Sequence, residues 1–343
     1  MLDDLNVISQ RDPKDALGVA AAQPTQAGWN AKVENQQTEQ FIPETVVVAG
    51  MGGSALAAGL VKSWLKITKP FEVVRKYNLP GYVNEKTLVI ASSYSGNTEE
   101  TLAALEEAEG LGAKIVVISA GGQLIDIAQE KNYPFVQLPS DYQPRMAVSL
   151  NLRGLVKLLE VYGLAQGKYD EIASVADWLD DRVEKWLPEV PTEENYAKQL
   201  AEKCAGKTAV IYSGSRMAPV GYKWKISINE NAKNTAFCNE LPEFNHNEFI
   251  GWSSHPVDKP FVVLDLISGF EHPQVLRRFA ITDQLLSGMR PKAVSVELQG
   301  ESVIAQMLWG CVLADFVSIY LAILNGIDPT QVDLIEKLKK ELA

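Results

Sequence analysis

Short apolar runs typical of β-strands alternate with helical patterns along two successive halves of the chain, which has 343 residues. The runs of the first half lie at 46–49, 71–74, 88–91, 114–119 and 134–138. Those of the second half lie at 208–212, 260–266 and 292–298. Buried parallel strands joined by right-handed helical crossovers have this pattern. It predicts an α/β protein in which each half forms a mostly parallel sheet flanked by helices, with ligands beyond the carboxyl ends of the strands.

The run at 88–91 ends in a loop rich in hydroxyl groups, and a helical pattern follows over 98–110. The hydroxyls belong to Ser92, Ser93, Ser95 and Thr98. A helix N-terminus offers N–H groups without intrahelical partners and the positive end of the helix dipole. Gly96 permits a tight turn, and the loop lacks the lysine of a nucleotide P-loop. A serine-rich N-cap is the competing interpretation, but one hydroxyl would suffice for a cap, so the excess favours a phosphate site.

Charge and composition exclude several classes of partner. The formal net charge of −11 gives no basic field for nucleic acid or an anionic membrane, so a phosphorylated ligand must be held by local donors. The longest apolar stretch, 302–324, is interrupted by Gln306, Gly310 and Asp315, which favours a buried core helix over a membrane span. Three widely spaced cysteines, and an N-terminus without a signal-peptide pattern, predict a cytoplasmic protein with free thiols.

The segment 50–55 also fits the G-x-G-x-x-A pattern of dinucleotide sites, which raises the possibility of a nucleotide cofactor. Glu72 follows at about the spacing expected of the acid that binds the ribose. However, Glu72 begins its strand, whereas the pattern requires the acid at the strand's end. We therefore expect no nucleotide cofactor.

A polar segment over 229–252 separates a helical pattern from the next strand of the second half. Glu230 and His246 in this segment would provide a base and an acid near neutral pH if they converged on one pocket. The competing interpretation is a solvated acidic loop. A metal site is a further alternative, formed by Glu243, His246, Glu248 and His255. The segment lacks the histidine pair of a helix-borne zinc site, so we expect no metal.

Several motifs together resemble the bifunctional phosphoglucose/phosphomannose isomerases, which are built from two sugar-isomerase (SIS) domains. The motifs are GMGGS at 50–54, SYSGNT at 93–98, NEN at 229–231, ELPEFNHNE at 240–248, GW at 251–252 and the lysine-rich ending at 328–339. The serine motif alone marks any SIS domain, whereas its combination with the Glu/His segment and the ending is specific to this family. The resemblance covers residues 45–343.

The resemblance implies two tandem SIS domains of flavodoxin-like three-layer αβα architecture. It also implies an aldose–ketose isomerase that acts without metal or cofactor. Such an enzyme interconverts glucose 6-phosphate and mannose 6-phosphate with fructose 6-phosphate through a cis-enediol. The family further implies a homodimer with shared active sites. A non-catalytic SIS protein that binds sugar phosphates is the alternative, although such regulators usually carry a DNA-binding segment and none is apparent here.

The resemblance also implies roles for individual residues. Ser93, Ser95 and Thr98 would hold the phosphate, with Gly53 and Ser54 lining the site. These assignments agree with the excess of hydroxyl groups in the loop.

Three further residues would act in the reaction itself. Glu230 matches the base that moves a proton between C2 and C1, and Arg145 matches the arginine that stabilises the enediolate. His246 matches the group that opens the sugar ring, and in the family it comes from the partner subunit. Arg145 has a competing interpretation as an ordinary surface arginine after a proline.

Lys339 matches a lysine near the C-terminus that assists ring opening. Lys337 and Lys340 compete for that role, and all three could instead face the negative end of a helix dipole. The predicted domains are an N-terminal helical segment, a first SIS domain, a helical linker and a second SIS domain, at 1–40, 41–165, 166–206 and 207–343.

Overall fold

The computed structural model describes residues 1–36, 41–254 and 260–342, without the side chains of residues 336, 339, 340 and 342. Its helices are α1 (Leu5–Arg11), α2 (Ala16–Ala21), α3 (Gln23–Gly28), α4 (Gly52–Trp64), α5 (Glu99–Gly110), α6 (Gln123–Glu130), α7 (Val148–Val161), α8 (Lys168–Ala173), α9 (Ala176–Val183), α10 (Tyr196–Cys204), α11 (Ala218–Ala232), α12 (Glu248–Gly251), α13 (Pro273–Leu285), α14 (Val303–Asn325) and α15 (Asp333–Leu342). Its strands are β1 (Thr45–Ala49), β2 (Phe71–Val74), β3 (Thr87–Ser92), β4 (Lys114–Ser119), β5 (Phe135–Gln137), β6 (Thr208–Gly214), β7 (Ala236–Leu241), β8 (Phe261–Ile267) and β9 (Val294–Glu297).

The first compact unit, Gln23–Trp178, is built on a five-stranded parallel sheet of order β2-β1-β3-β4-β5. This is the doubly wound order, and its direction reverses between β1 and β3. In the central strands β1, β3 and β4, the side chains that alternate along the strand are buried on both faces. On one face, Val47 and Val89 pack with residues of α5 and α6. On the other face lie α4 and α7. Burial on both faces explains why these strands read as continuous apolar runs.

The second compact unit, Met1–Ala22 with Leu179–Ala343, is built on a four-stranded parallel sheet of order β7-β6-β8-β9. This order corresponds to β2-β1-β3-β4 of the first unit. In both units the first crossover helix packs against a later helix, α4 against α7 and α11 against α14. The two sheets confirm the predicted α/β architecture with two parallel sheets flanked by helices.

A buried polar ladder fixes α11 against α14. Lys223 Nζ lies 2.6 Å from Asp315 Oδ1, and the Ser227 hydroxyl donates to the same oxygen at 2.9 Å. One turn further along α11, Asn231 Nδ2 donates to Ser318 Oγ at 2.9 Å. All of these side chains are buried. The spacing of the α11 positions places them on one face, so the ladder sets both the register and the rotation of this helix.

α14 is long and apolar enough to cross a membrane by length and composition alone, but 94% of its most apolar window is buried inside the protein. The sequence-based prediction of a core helix at this position is therefore confirmed. Asp315, which interrupts the apolar stretch, belongs to the polar ladder with α11.

Residues 1–22 pack with the second unit, whereas residues 23–36 belong to the first. Arg11 Nη1 donates to the carbonyl oxygen of Ile323 at 2.6 Å, and Lys198 Nζ lies 3.2 Å from Asp3 Oδ1. α3 belongs to the first unit. Along the sequence, the two units meet within the predicted segments 1–40 and 166–206, between residues 22 and 23 and between residues 178 and 179. The predicted domain boundaries themselves stay a prediction.

β7 lies where the sequence predicted only a polar segment. It is an edge strand that pairs with β6 alone, and its Phe237 side chain is 57% exposed. An edge strand covered on fewer sides does not need a continuous apolar run, so Asn239 and Glu240 are accommodated within it. The absence of such a run is the physical reason for the missed strand.

Removal of one member of the buried pair between α11 and α14 is expected to be costly. Asp315→Leu leaves the Lys223 ammonium buried without its carboxylate, so we expect a loss of about 3–5 kcal/mol in the free energy of unfolding. The double variant Lys223→Met with Asp315→Leu should recover most of that loss. Urea unfolding measures both, and equal stabilities of Asp315→Leu and the wild type would contradict the proposed strength of the pair.

Candidate functional site

The carboxyl ends of β1 and β3 form the point of the first sheet where the strand order reverses. Ala49 of β1 lies opposite Ala91 of β3, so the loops that follow the two strands begin side by side. In sheets of this type the crevice at the reversal point is the usual ligand site. The predicted phosphate residues all lie in or next to these two loops.

The loop after β3 gathers its hydroxyl groups into a cluster. Ser93 Oγ lies 2.7 Å from Thr98 Oγ1 and 3.4 Å from Ser95 Oγ. Thr98 is the N-cap residue of α5, yet its side chain accepts no hydrogen bond from the first turn. The competing interpretation, in which Thr98 serves as a side-chain cap, is therefore wrong. The hydroxyl cluster thus lies at the N-terminus of α5, where the Thr98 side chain accepts from none of the first N–H groups of the helix. This arrangement is suited to binding an anion.

Gly96 makes the tight return of this loop possible. Its φ is +72°, and a Cβ atom at this position would lie 1.7 Å from the carbonyl oxygen of Gly121. The loop is also fixed to the start of α6, because Leu124 N–H donates to the Gly96 carbonyl oxygen at 3.1 Å. A side chain here would displace the loop, so the glycine is required by close approach as well as by φ.

Gly53 and Ser54, in the first turn of α4, lie on the other side of the reversal point. A Cβ atom on Gly53 would lie 2.7 Å from the carbonyl oxygen of Pro144, which precedes Arg145. Ser54 is buried, and its hydroxyl lies 3.4 Å from Asn151 Oδ1 of α7. Asn151 was not among the residues predicted from the sequence. The N-cap residue of α4 makes no side-chain cap either, so a second helix begins at this point without a cap.

Arg145 occupies a turn of 3₁₀ helix, Pro144–Met146, beside Gly53. It is only 5% exposed, so the interpretation as an ordinary surface arginine is wrong. Its Nη1 donates to Gln143 Oε1 at 3.4 Å. The structure thus places the backbone of Arg145 and the start of α4 together.

The dinucleotide alternative receives no support from the position of Glu72. This residue is the second of β2, and the Tyr82 hydroxyl donates to its carboxylate. The carboxylate is therefore not at the carboxyl end of the sheet, where a ribose would lie.

Glu230 lies in the last turn of α11 and is half-buried. The next residue but one ends the helix, and the Asn229 side chain accepts from the first N–H group of β7, at Ala236, at 2.9 Å. This contact places the end of α11 beside the amino end of the second sheet. The ladder to α14 runs along the same helix up to Asn231, so Glu230 lies on a firmly held element.

His246 ends a turn of 3₁₀ helix, Glu243–His246, that follows β7, and its side chain is exposed. The turn therefore lies at the carboxyl end of the second sheet. Phe244 of this turn is fully buried and packs on Tyr212 of β6, with ring centroids 4.4 Å apart.

Glu230 and His246 lie at opposite ends of β7, because α11 leads into the first residue of this strand and the turn follows its last. The first and last of the six strand residues lie roughly 17 Å apart, because neighbouring residues of a strand are about 3.3 Å apart along its direction. The structure does not bring them together within one chain.

Glu243 and Glu248, from the metal alternative, are engaged elsewhere. Asn247 Nδ2 donates to Glu243 Oε1 at 2.6 Å, and Asn239 Nδ2 donates to Glu248 Oε2 at 2.7 Å. Within residues 1–36, 41–254 and 260–342, no three histidine, cysteine or acidic side chains gather as a metal-binding group. His255 lies outside the described residues.

The backbone of Lys339 belongs to α15, while its side chain and that of Lys340 lie outside the described part of the structure. The role of Lys339 stays a prediction. The three cysteines, Cys204, Cys238 and Cys311, are free thiols.

In the second unit, the carboxylate of Glu271 occupies the counterpart of the edge where the first unit is predicted to hold the phosphate. Glu271 belongs to the loop after β8, which corresponds to the serine loop after β3. Its Oε1 accepts from Met217 N–H at 3.0 Å and its Oε2 from Arg216 N–H at 3.4 Å, immediately before α11. A Cβ atom on Gly214 would lie 2.2 Å from the carboxyl carbon, so the glycine admits the side chain. Burial raises the pKa of Glu271, and the two N–H donors oppose that rise.

Comparison with known proteins covers both units. The family model described as the SIS domain matches residues 43–133. The model described as the bacterial phospho-glucose isomerase C-terminal SIS domain matches residues 193–342. The predicted tandem SIS fold is confirmed.

A bifunctional phosphoglucose/phosphomannose isomerase of Caldicellulosiruptor bescii is 39% identical over 304 residues, which is 88% of this chain and 90% of that protein. A D-glucosamine-6-phosphate 4-epimerase of Sulfolobus acidocaldarius is 36% identical over 212 residues, covering 62% of this chain and 65% of that protein. Among solved structures, a glucose-6-phosphate isomerase like protein from Thermus thermophilus has a TM-score of 0.65 at 19% identity. The alignment covers 99% of this chain and 98% of that one.

Loss of the Glu271 carboxylate should deprive the N–H groups of Arg216 and Met217 of their acceptor. We expect Glu271→Ala to lower the free energy of unfolding by about 1–3 kcal/mol, as measured by urea unfolding. Added formate should restore part of the loss, because a small carboxylate can bind the vacated helix N-terminus. Glu240→Ala, which removes a carboxylate from β7 at the same edge, is the matched control. An equal response of both variants to formate would contradict the specific role of Glu271.

Proposed function

Because the chain belongs to the bifunctional phosphoglucose/phosphomannose isomerase family, we propose that it interconverts glucose 6-phosphate and mannose 6-phosphate with fructose 6-phosphate. The observation that carries the proposal is the similarity to a relative of that name along nearly the full length of both proteins. The reaction moves hydrogen between C1 and C2 and is proposed to need neither metal nor cofactor.

The substrate phosphate is assigned to the edge of the first sheet. The hydroxyls of Ser93, Ser95 and Thr98 and the uncapped starts of α4 and α5 would supply its donors. Gly53 would let the turn that carries Arg145 approach the start of α4 closely. With a formal net charge of −11, the chain depends on such local donors rather than on a long-range field.

Proton transfer between carbons is assigned to Glu230. Its carboxylate would take the proton from C2 of the open-chain aldose, which leaves a cis-enediolate with its charge on O1. The proton on O2 then moves to O1, and Glu230 returns its proton to C1, which gives the ketose. Arg145 would stabilise the negative charge that develops on oxygen. Glucose 6-phosphate and mannose 6-phosphate have opposite configurations at C2, so acceptance of both sugars depends on the space around that carbon.

Ring opening is assigned to His246 with Lys339. Opening removes the proton from O1, breaks the bond between C1 and O5 and delivers a proton to O5. Because Glu230 and His246 lie at opposite ends of β7, the His246 of a given site would come from a second copy of the chain. The exposure of the His246 side chain agrees with that arrangement, and a homodimer is part of the proposal.

Two other functions compete with the isomerase. A sugar-phosphate-binding protein without catalysis would bind hexose 6-phosphates and show no turnover. The relative described as a D-glucosamine-6-phosphate 4-epimerase raises epimerisation at C4 as the second possibility. The products distinguish the three, since only epimerisation inverts C4 and only isomerisation changes the aldose into a ketose.

The main test replaces the proposed base. Glu230→Gln should reduce turnover of fructose 6-phosphate by roughly 10²–10⁴-fold, because the amide cannot accept the proton. The matched control is Glu202→Gln, an exposed carboxylate on α10, which should retain full activity. Glucose 6-phosphate and mannose 6-phosphate are measured separately, with and without EDTA. Undiminished activity of Glu230→Gln would refute its role, and inhibition by EDTA would refute a metal-independent reaction.

The shared site is tested by mixing two inactive variants. Glu230→Gln and His246→Ala should each be nearly inactive alone. After unfolding and refolding together in equal amounts, about half of the dimers are mixed and contain one intact site, so about a quarter of the wild-type activity should return. If both residues acted within one chain, mixing would restore nothing.

A further inference from the structure

The segment that carries His246 is held to the second sheet through the hydroxyl of Tyr212. Trp252 Nε1 donates to this hydroxyl at 3.0 Å, and the hydroxyl itself donates to Glu248 Oε1. Asn239 Nδ2 donates to the other oxygen of Glu248 at 2.7 Å. Glu248 follows His246 by two residues, so the network holds the chain immediately after His246.

The aromatic ring of Tyr212 supports the same segment from the other side of His246. Phe244, two residues before His246, packs on it with ring centroids 4.4 Å apart. The edge of the Phe249 ring meets the Phe244 ring at 6.0 Å. Tyr212 thus contacts residues on both flanks of His246.

Tyr212 is itself held by buried charged neighbours. Arg290, with a side chain that is 1% exposed, lies with its guanidinium carbon 5.8 Å from the ring centroid, and its Nη2 is 3.7 Å from Asp283 Oδ1. Asp265 is the neighbour of Tyr212 on β8. Burial raises the pKa of Asp265 to about 7, and the charge of Arg290 opposes that rise. A phenol seated among such groups has little freedom to move.

The hydroxyl of Tyr212 keeps its proton across the physiological pH range. Burial raises the pKa of this phenol, and the hydrogen bond to Glu248 raises it further. The hydroxyl therefore remains a donor to Glu248 while it accepts from Trp252.

We propose that Tyr212 and Glu248 are positioning residues that hold His246 in the orientation needed to open the sugar ring. This inference rests on the proposed function, in which His246 performs ring opening. Neither residue contacts the reacting atoms. Their effect is on the placement of the imidazole, and small misplacements of a catalytic group have large effects on rate.

Anomerisation gives a readout that isolates this role. Exchange between the α and β anomers of glucose 6-phosphate requires ring opening and closure but no proton transfer between C1 and C2. Exchange NMR on glucose 6-phosphate labelled at C1 therefore measures the His246 step alone, even in the inactive Glu230→Gln variant.

In the Glu230→Gln background, Tyr212→Phe should lower the catalysed anomerisation rate by roughly 10-fold, with little change in the substrate concentration for half-saturation. Glu248→Gln should act in the same direction. In the His246→Ala background, Tyr212→Phe should have no further effect, because the group that it positions is absent. Tyr196→Phe, a phenol of the same unit that donates to the Ser295 carbonyl oxygen, is the matched control and should leave the rate unchanged.

Unchanged anomerisation in Tyr212→Phe, while His246→Ala abolishes it, would overturn the inference and leave the proposed function intact. The inference would also be overturned if Tyr212→Phe lowered the anomerisation rate by the same factor with and without His246, because the effect would then not act through His246. Full anomerisation and isomerisation in His246→Ala would instead refute the role of His246 in the proposed function.

Discussion

Burial of both faces of the central strands in each parallel sheet determines where this chain can carry chemistry. Helices cover the faces, so the strand interiors are closed to ligands, and polar groups can gather only at the ends of strands and helices. The hydroxyl cluster of Ser93 and Thr98 lies at such an end. So do the turn with His246 and the last turn of α11 with Glu230. Buried polar side chains such as Lys223 and Asp315 bond to one another and fix α11, the helix that ends beside Glu230.

The fold was predictable where burial imposes a pattern on the sequence. Strands covered on both faces gave apolar runs, and the 23-residue helix α14 was recognisable as core. β7 was missed because an edge strand tolerates Asn239 and Glu240. The internal repeat held the missing signal: the first half has β2 after its first crossover helix, so the second half required a strand after α11. The division of residues 1–40 between two units depends on distant contacts, such as that of Arg11 with Ile323, which no local pattern encodes.

The candidate site was predictable to the extent that its residues are local. Four hydroxyls in one loop indicated an anion site, and the uncapped start of α5 agrees with it. The supports of the site were not predictable, because they join residues far apart in sequence. Tyr212 of β6 meets Glu248 and Trp252 from beyond β7, and Ser54 meets Asn151 from another helix. In the sequence, nothing distinguishes a Tyr or Asn with such a role from one in an ordinary core or turn, because its hydrogen-bond partner is known only from the fold.

The two halves share one plan but differ at the edge where an anion would bind. In the first unit, α4 and α5 begin without a side-chain cap, whereas in the second the Glu271 carboxylate accepts from the N–H groups just before α11. Because the N–H groups of Arg216 and Met217 already donate to this carboxylate, they are not left to bind a phosphate. The second unit instead presents Glu230 and His246 at opposite ends of β7. Because a strand of six residues separates them, one chain cannot place both on one sugar, which is why the proposed site takes Glu230 and His246 from two copies of the chain.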